Sequence, residues 1–297
     1  MASVDYQVEY RGLVMGLGTD YHIVKLDGLE EDIVRMGDST IPRAGGDIQG
    51  LHVPAARQIT LDVIVKGVKG SQAQRDSVQD LIDAFQHADD TNEFFFQEPG
   101  FADRRFVYAR AAGRSSDRDP RSPFVQRFKL RLKLADPRAY EEFENQGSLT
   151  NYDAAGGGMD YDVVEYGREY SVDTSSQTTL TNNGNAKAWP VLRFYGPTVG
   201  TITELTLTNI TTGQAAQVFS STLLTGQILT ADMDAIVTVR PSDLHVVRLG
   251  ATNKFTEWDQ PRDPFYLQAG ENVLRFEISG GSSTDGICTV TYRDTWL

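Results

Sequence analysis

One cysteine, three tryptophans and four histidines are spread over 297 residues, and each scarcity excludes something. A single thiol, Cys288, supports neither an internal disulfide framework nor a Cys-rich zinc site, and it suits folding in a reducing cytoplasm. Basic residues are outnumbered, 28 Lys and Arg against 41 Asp and Glu, for a net charge of -13. Such a chain lacks the cationic surplus that wrapping DNA requires. No stretch approaches the roughly 18 consecutive apolar residues of a membrane span. The opening MASVDYQVEYRGLVMGLG has early acids and no apolar run of secretory length, so synthesis in the cytoplasm is expected. Also missing are H-E-x-x-H, G-x-S-x-G, a P-loop and a dinucleotide fingerprint. No cofactor, metal or catalytic residue is therefore expected, and the chain reads as a non-enzyme.

What is present is an ordinary globular composition, long enough at about 100–200 residues per domain for two domains. In QITLDVIVK, Ile59, Leu61, Val63 and Val65 alternate with polar residues, the period of a half-buried strand. Ser71 then caps an expected helix over about 72–88. Its apolar stripe is Val78, Leu81, Ile82 and Phe85, with Asp76, Asp80 and Asp83 elsewhere on the wheel. From residue 178 onward the pattern is one of many short strands separated by turn signals such as Asn183-Gly184 and Thr212-Gly213, which predicts a β-sandwich. The boundaries read as 1–145 for a mixed domain, 146–159 for a linker containing Gly156-Gly157-Gly158, and 160–297 for the second domain.

Charge is distributed unevenly. Between Arg104 and Arg138 there are eleven basic residues and three acids, a local balance of +8 in an acidic chain. Within that stretch, Phe128, Leu130, Leu132 and Leu134 form one face of a strand, and Arg127, Lys129, Arg131 and Lys133 form the other. Residues on one face of a strand sit about 6.5 Å apart, so the basic residues make a row. Two readings compete. The row is the solvated side of a strand near a sheet edge, guarding against aggregation. Alternatively it is a contact surface for an acidic neighbouring subunit or for nucleic acid passing through a ring.

The remaining candidates carry less. His22, His52, His87 and His245 have no second ligand type at a metal spacing, and Cys288 in GICTVTY reads as a core residue. The Asp160/Asp162 and Asp232/Asp234 pairs lack the further oxygens of a Ca²⁺ loop. Trp189, Tyr195, Trp258, Phe265, Tyr266 and Trp296 could supply a sugar-stacking platform or core packing.

The order of several segments resembles a known family. These are the QITLDVIVKG strand with its single helix, the basic strand ending in LADPRAY, then NNGNAKAWPVLRFYG, FYLQAGENVLRFEISG and the terminal VTYRDTW. Together, over nearly the full length, they resemble the distal tail proteins of long-tailed, non-contractile bacteriophages. The resemblance implies a mainly β fold: an N-terminal belt-like β domain with one α-helix over 1–145, and a C-terminal galectin-like β-sandwich over 160–297. It implies a structural virion protein forming a hexameric ring at the distal end of the tail, with a lumen for DNA passage. Implied partners are further copies of the chain in a homohexamer, the tail tube protein, a tail hub or tail-associated protein carrying fibres, the tape measure protein and a host-surface glycan. The implied location is the virion tail tip. Arg127, Lys129, Arg131 and Lys133 are then the candidate subunit-interface or lumen face. The alternative from another class is a carbohydrate-binding adhesion module. Within the structural class the nearest rival is a tail-tube subunit, and a hydrolase is a third reading.

Overall fold

A computed structural model gives the fold. It describes residues 7–29, 34–35, 38–40, 47–48, 53–67, 71–87, 89–97, 103–117, 125–150, 177–218, 222–233, 247–249, 251–253, 258–259, 265–282 and 285–297. The chain divides into one compact unit over Met1–Glu142 and a second over Phe143–Trp296.

The first unit is built on β1 (Gln7–Tyr10), β2 (Leu13–Met15), β3 (Tyr21–Asp27), the two-residue strands β4 (Val34–Arg35), β5 (Ser39–Thr40), β6 (Asp47–Ile48) and β7 (Val53–Pro54), then β8 (Arg57–Lys66), α1 (Gln72–Ala84), β9 (Asn92–Gln97), β10 (Arg105–Asp117), β11 (Val125–Leu134) and β12 (Ala139–Glu141). The main sheet runs β2-β1-β9-β10-β11-β8-β3, antiparallel throughout, with β12 added to β10. Period-two patterning decides which face is buried. Ile59, Leu61, Val63 and Val65 of β8 join Phe128, Leu130, Leu132 and Leu134 of β11 in one core. Helix α1 closes that core with Leu81, while Val78 and Ile82 pack at its margin.

The helix is shorter than the expected 72–88. Ser71 caps it, its hydroxyl accepting from the Gln74 N–H at 3.1 Å, but helical geometry stops at Ala84 and Phe85 leaves it at φ -103°. Phe85 turns into the core beside Tyr10, with ring centroids 5.0 Å apart. The last carbonyls are met from outside: Arg114 Nη1 donates to Ile82 O at 2.7 Å, and Arg11 Nη1 donates to Ala84 O and Gln86 O. These tertiary guanidinium groups do what a basic last turn does in other helices, since α1 has no basic residue there.

The second unit comprises β13 (Asn145–Thr150), β14 (Gln177–Asn182), β15 (Val191–Tyr195), β16 (Thr201–Asn209), β17 (Gln214–Val218), β18 (Leu223–Leu224), β19 (Ile228–Asp232), β20 (Val247–Leu249), β21 (Thr252–Asn253), β22 (Trp258–Asp259), β23 (Gly270–Gly281) and β24 (Ile287–Tyr292). One sheet runs β13-β24-β15-β19-β20-β21 and the other β14-β23-β16-β17-β22, with β18 on β16. Alternate residues of both meet in a shared core. Leu192, Phe194, Leu229, Cys288 and Val290 come from the first sheet, and Leu180, Leu205, Leu207, Leu274 and Phe276 from the second. The expected sandwich is present. Residues 146–150, read from sequence as the start of a linker, belong to β13 instead, paired residue by residue with β24. Leu149 and Gly147 face inward there, and a polar-looking NQGSLT hides that alternation. Residues 118–124 and 151–159 lie outside the described residues. Residues 113–117 continue β10.

Candidate functional site

The basic row is real as geometry. β11 presents Arg127, Lys129, Arg131 and Lys133 outward, all exposed, while its other face is sealed in the core. The strand is not near an edge. From Arg127 to Leu134 it lies between β10 and β8, with β3 beyond β8. Edge protection therefore does not explain the row, because neighbouring strands already satisfy its backbone.

The four cations differ in their surroundings. Arg127 Nη2 donates to Asp62 Oδ2 at 2.7 Å and lies opposite Asp117 of β10 in register, so its charge is compensated locally. Lys129 lies between Asp62 and Ser115, and Arg131 between Thr60 and Gly113. Lys133 lies between Gln58 and Arg110, a like charge directly across the strand pair. Among the described residues, Lys129, Arg131 and Lys133 have no ion-pair partner. The site is thus three cations in line without an ion pair of their own, with Asp62 across from Lys129 and Arg110 at the Lys133 end. Sequence reading did not pick out Arg110, because a bulge between Ala111 and Gly113 shifts which residues of β10 share a face with the row. Asp62 was visible as an outward residue of QITLDVIVK, but its pairing depends on strand order.

Toward β12 the sheet carries an aromatic group separate from the main core. Phe106 is buried among Phe95, Tyr108 and Tyr140, with ring centroids 5.4, 5.3 and 5.6 Å away. Arg104 covers Phe95 at 4.4 Å and bonds Glu9. Arg138, itself buried, is held by a two-pronged contact to Asp136, whose carboxylate also accepts from the Tyr140 hydroxyl at 2.6 Å. Lys25, on β3, is paired with Asp27, and this bond holds its ammonium above the usual lysine range.

The other candidates do not converge. His22 and His87 are exposed at separate places, and His52 and His245 lie outside the described residues. No group of three His, Cys, Asp or Glu among the described residues could hold a metal. Asp232 is on β19, while Asp234, Asp160 and Asp162 lie outside the described residues. Cys288 is fully buried and burial pushes its thiol pKa far up, the environment of an inert core residue. Of the aromatics considered for sugar stacking, Phe265 is core, Trp189 packs against the core, and Tyr266 lies under Lys187, whose Nζ is 3.9 Å from the ring centre. Asn209 of the Asn-Ile-Thr sequence is fully buried, its amide donating to Tyr266 O and Asn272 Oδ1.

No protein-family model and no curated protein matches the sequence. Solved structures do match. The crystal structure of the SPP1 Dit protein, presented as a paradigm of the hub adsorption apparatus in phages infecting Gram-positive bacteria, is 17% identical with a TM-score of 0.65, over 98% of this chain and 99% of that one. The phage p2 baseplate in its activated conformation with Sr is 12% identical at a TM-score of 0.48, with 97% of each chain covered. Two units in series, a β domain with one helix followed by a β-sandwich, are thus the fold this chain shares, nearly end to end, with the SPP1 Dit protein.

Proposed function

We propose that this chain is a non-enzymatic structural protein of a phage tail tip, assembling as a hexameric ring that joins the tail tube to the tip hub and fibres. The observation that carries the reading is the fold shared with SPP1 Dit over 98% of the chain, both units included. In this reading residues 1–142 form the ring and its lumen for DNA, and residues 143–296 form the sandwich. The tail tube protein, a hub or tail-associated protein and the tape measure protein are the neighbours along the tail axis. The face carrying Arg127, Lys129, Arg131 and Lys133 lies at a subunit interface or on the lumen.

The net charge of -13 suits such a role. A mostly acidic subunit repels DNA and lets it pass, while a local basic surface remains available for a defined contact. Immunogold labelling of the virions that contain this chain, with antibody to the purified protein, tests the location. Gold confined to the distal end of the tail is the expected result. Labelling along the whole tail shaft identifies a tube subunit instead, and no labelling of particles removes the virion assignment.

A further inference from the structure

Two surfaces of the first unit carry charge of opposite sign with no ion pair among the described residues, and they lie on opposite sides of its core. One is Lys129, Arg131 and Lys133 on β11, spanning about 13 Å at the strand repeat. Its end opposes Arg110 across the sheet, an arrangement that works against strand pairing. The other is the outward side of α1, where Asp76, Asp80 and Asp83 are exposed and span about 10 Å at 1.5 Å per residue.

The aspartates weaken the helix that bears them. Like charges three and four residues apart repel, aspartate is a poor helix former, and Asp83 sits in the last turn, at the negative end of the helix dipole. Their side-chain bonds come from neutral amides: Gln72 Nε2 donates to Asp76 Oδ1 at 2.7 Å and Gln79 Nε2 to Asp83 Oδ1 at 2.8 Å. No cation among the described residues pairs with them. Arg11 and Arg114 bond carbonyls at the end of α1 rather than the aspartates, so each patch keeps charge that the other complements.

We infer that the Lys129–Arg131–Lys133 row of one copy seats against the Asp76–Asp80–Asp83 stripe of the next. The inference rests on the ring reading above and adds which two surfaces meet. Neither patch can face itself, so a two-fold dimer through either is excluded by repulsion. Each copy offers its row to one neighbour and its stripe to the other, which is the head-to-tail contact that closes into a ring. DNA would satisfy the row and leave the stripe uncompensated; a second copy satisfies both.

The test uses two full-length variants. One carries Lys129→Glu, Arg131→Glu and Lys133→Glu, the other Asp76→Lys, Asp80→Lys and Asp83→Lys. All six positions are exposed, and circular dichroism checks the fold; the single reversals Arg131→Glu and Asp80→Lys replace any triple variant that fails it. Sedimentation velocity at low salt should show rings for the wild type and association weakened on the order of tenfold or more for each variant alone. An equimolar mixture should restore rings, because each variant's reversed surface then meets a complement on the other. Rings formed by either variant alone, or a mixture that stays dissociated, overturn this contact and leave the ring reading standing. A row variant that keeps its ring but loses binding to a duplex oligonucleotide also overturns it, and marks the row as a nucleic-acid face. A wild-type chain that remains monomeric overturns the ring reading and this contact together.

Discussion

Gly184 shows how much a single side chain decides. A Cβ there would lie 1.9 Å from the carbonyl oxygen of Thr295, so only glycine lets the NNGN turn close onto the chain's last residues. Asn182 completes the join, its amide donating to Ala186 O and its Oδ1 accepting from the N–H groups of Gly184 and Thr295. Gly184→Ala should therefore lower stability by about 1–3 kcal/mol in urea unfolding, the range of an overpacked site. Asn183-Gly184 was legible in the sequence as a turn. That the turn grips the distant VTYRDTW segment was not, since the partner lies over a hundred residues away. Cys288 yields a pH prediction. Its thiol is pushed up by burial, so above the unfolded thiol value of about 8.5 the unfolded chain loses a proton that the folded chain keeps. The unfolded state then binds fewer protons, and stability should fall with rising pH by about 1.4 kcal/mol per unit on this account. Cys288→Ala should remove that share of the alkaline slope; a slope identical to wild type would contradict it.

At the scale of elements, α1 is held by one local and several distant contacts. Ser71→Ala should cost about 1 kcal/mol by removing the N-cap. Leu81→Ala, at a position fully sealed from solvent, should cost about 2–5 kcal/mol. Both are read from denaturation midpoints at unchanged slope. The stripe of Val78, Leu81, Ile82 and Phe85 was plain from spacing, as was the strict alternation of β11. The helix end was less so, because Arg11 and Arg114, which meet its last carbonyls, come from other strands. The same limit applies to the basic row: composition revealed four cations on one face, but only strand order shows Asp62 compensating Arg127 and Arg110 opposing Lys133. β13 escaped notice because Gln146, Ser148 and Thr150 alternate with a glycine and a single leucine, too weak an apolar signal to stand apart from a linker.

For the whole molecule, two separate cores in series predict separable stability. Scanning calorimetry should resolve two transitions, with Leu81→Ala lowering one and Gly184→Ala the other, because their positions lie in different units. A single transition shifted equally by both variants would contradict that independence. The sequence's order of motifs pointed to the two-part architecture that the structural match to SPP1 Dit extends over 98% of the chain. Which surfaces face other copies was illegible from one sequence, because a contact between chains leaves no periodicity of its own. Negative-stain microscopy of the purified full-length chain tests the central claim most directly. Closed rings with six-fold symmetry are the predicted result, and long stacked tubes or a population of single molecules at every concentration would contradict it.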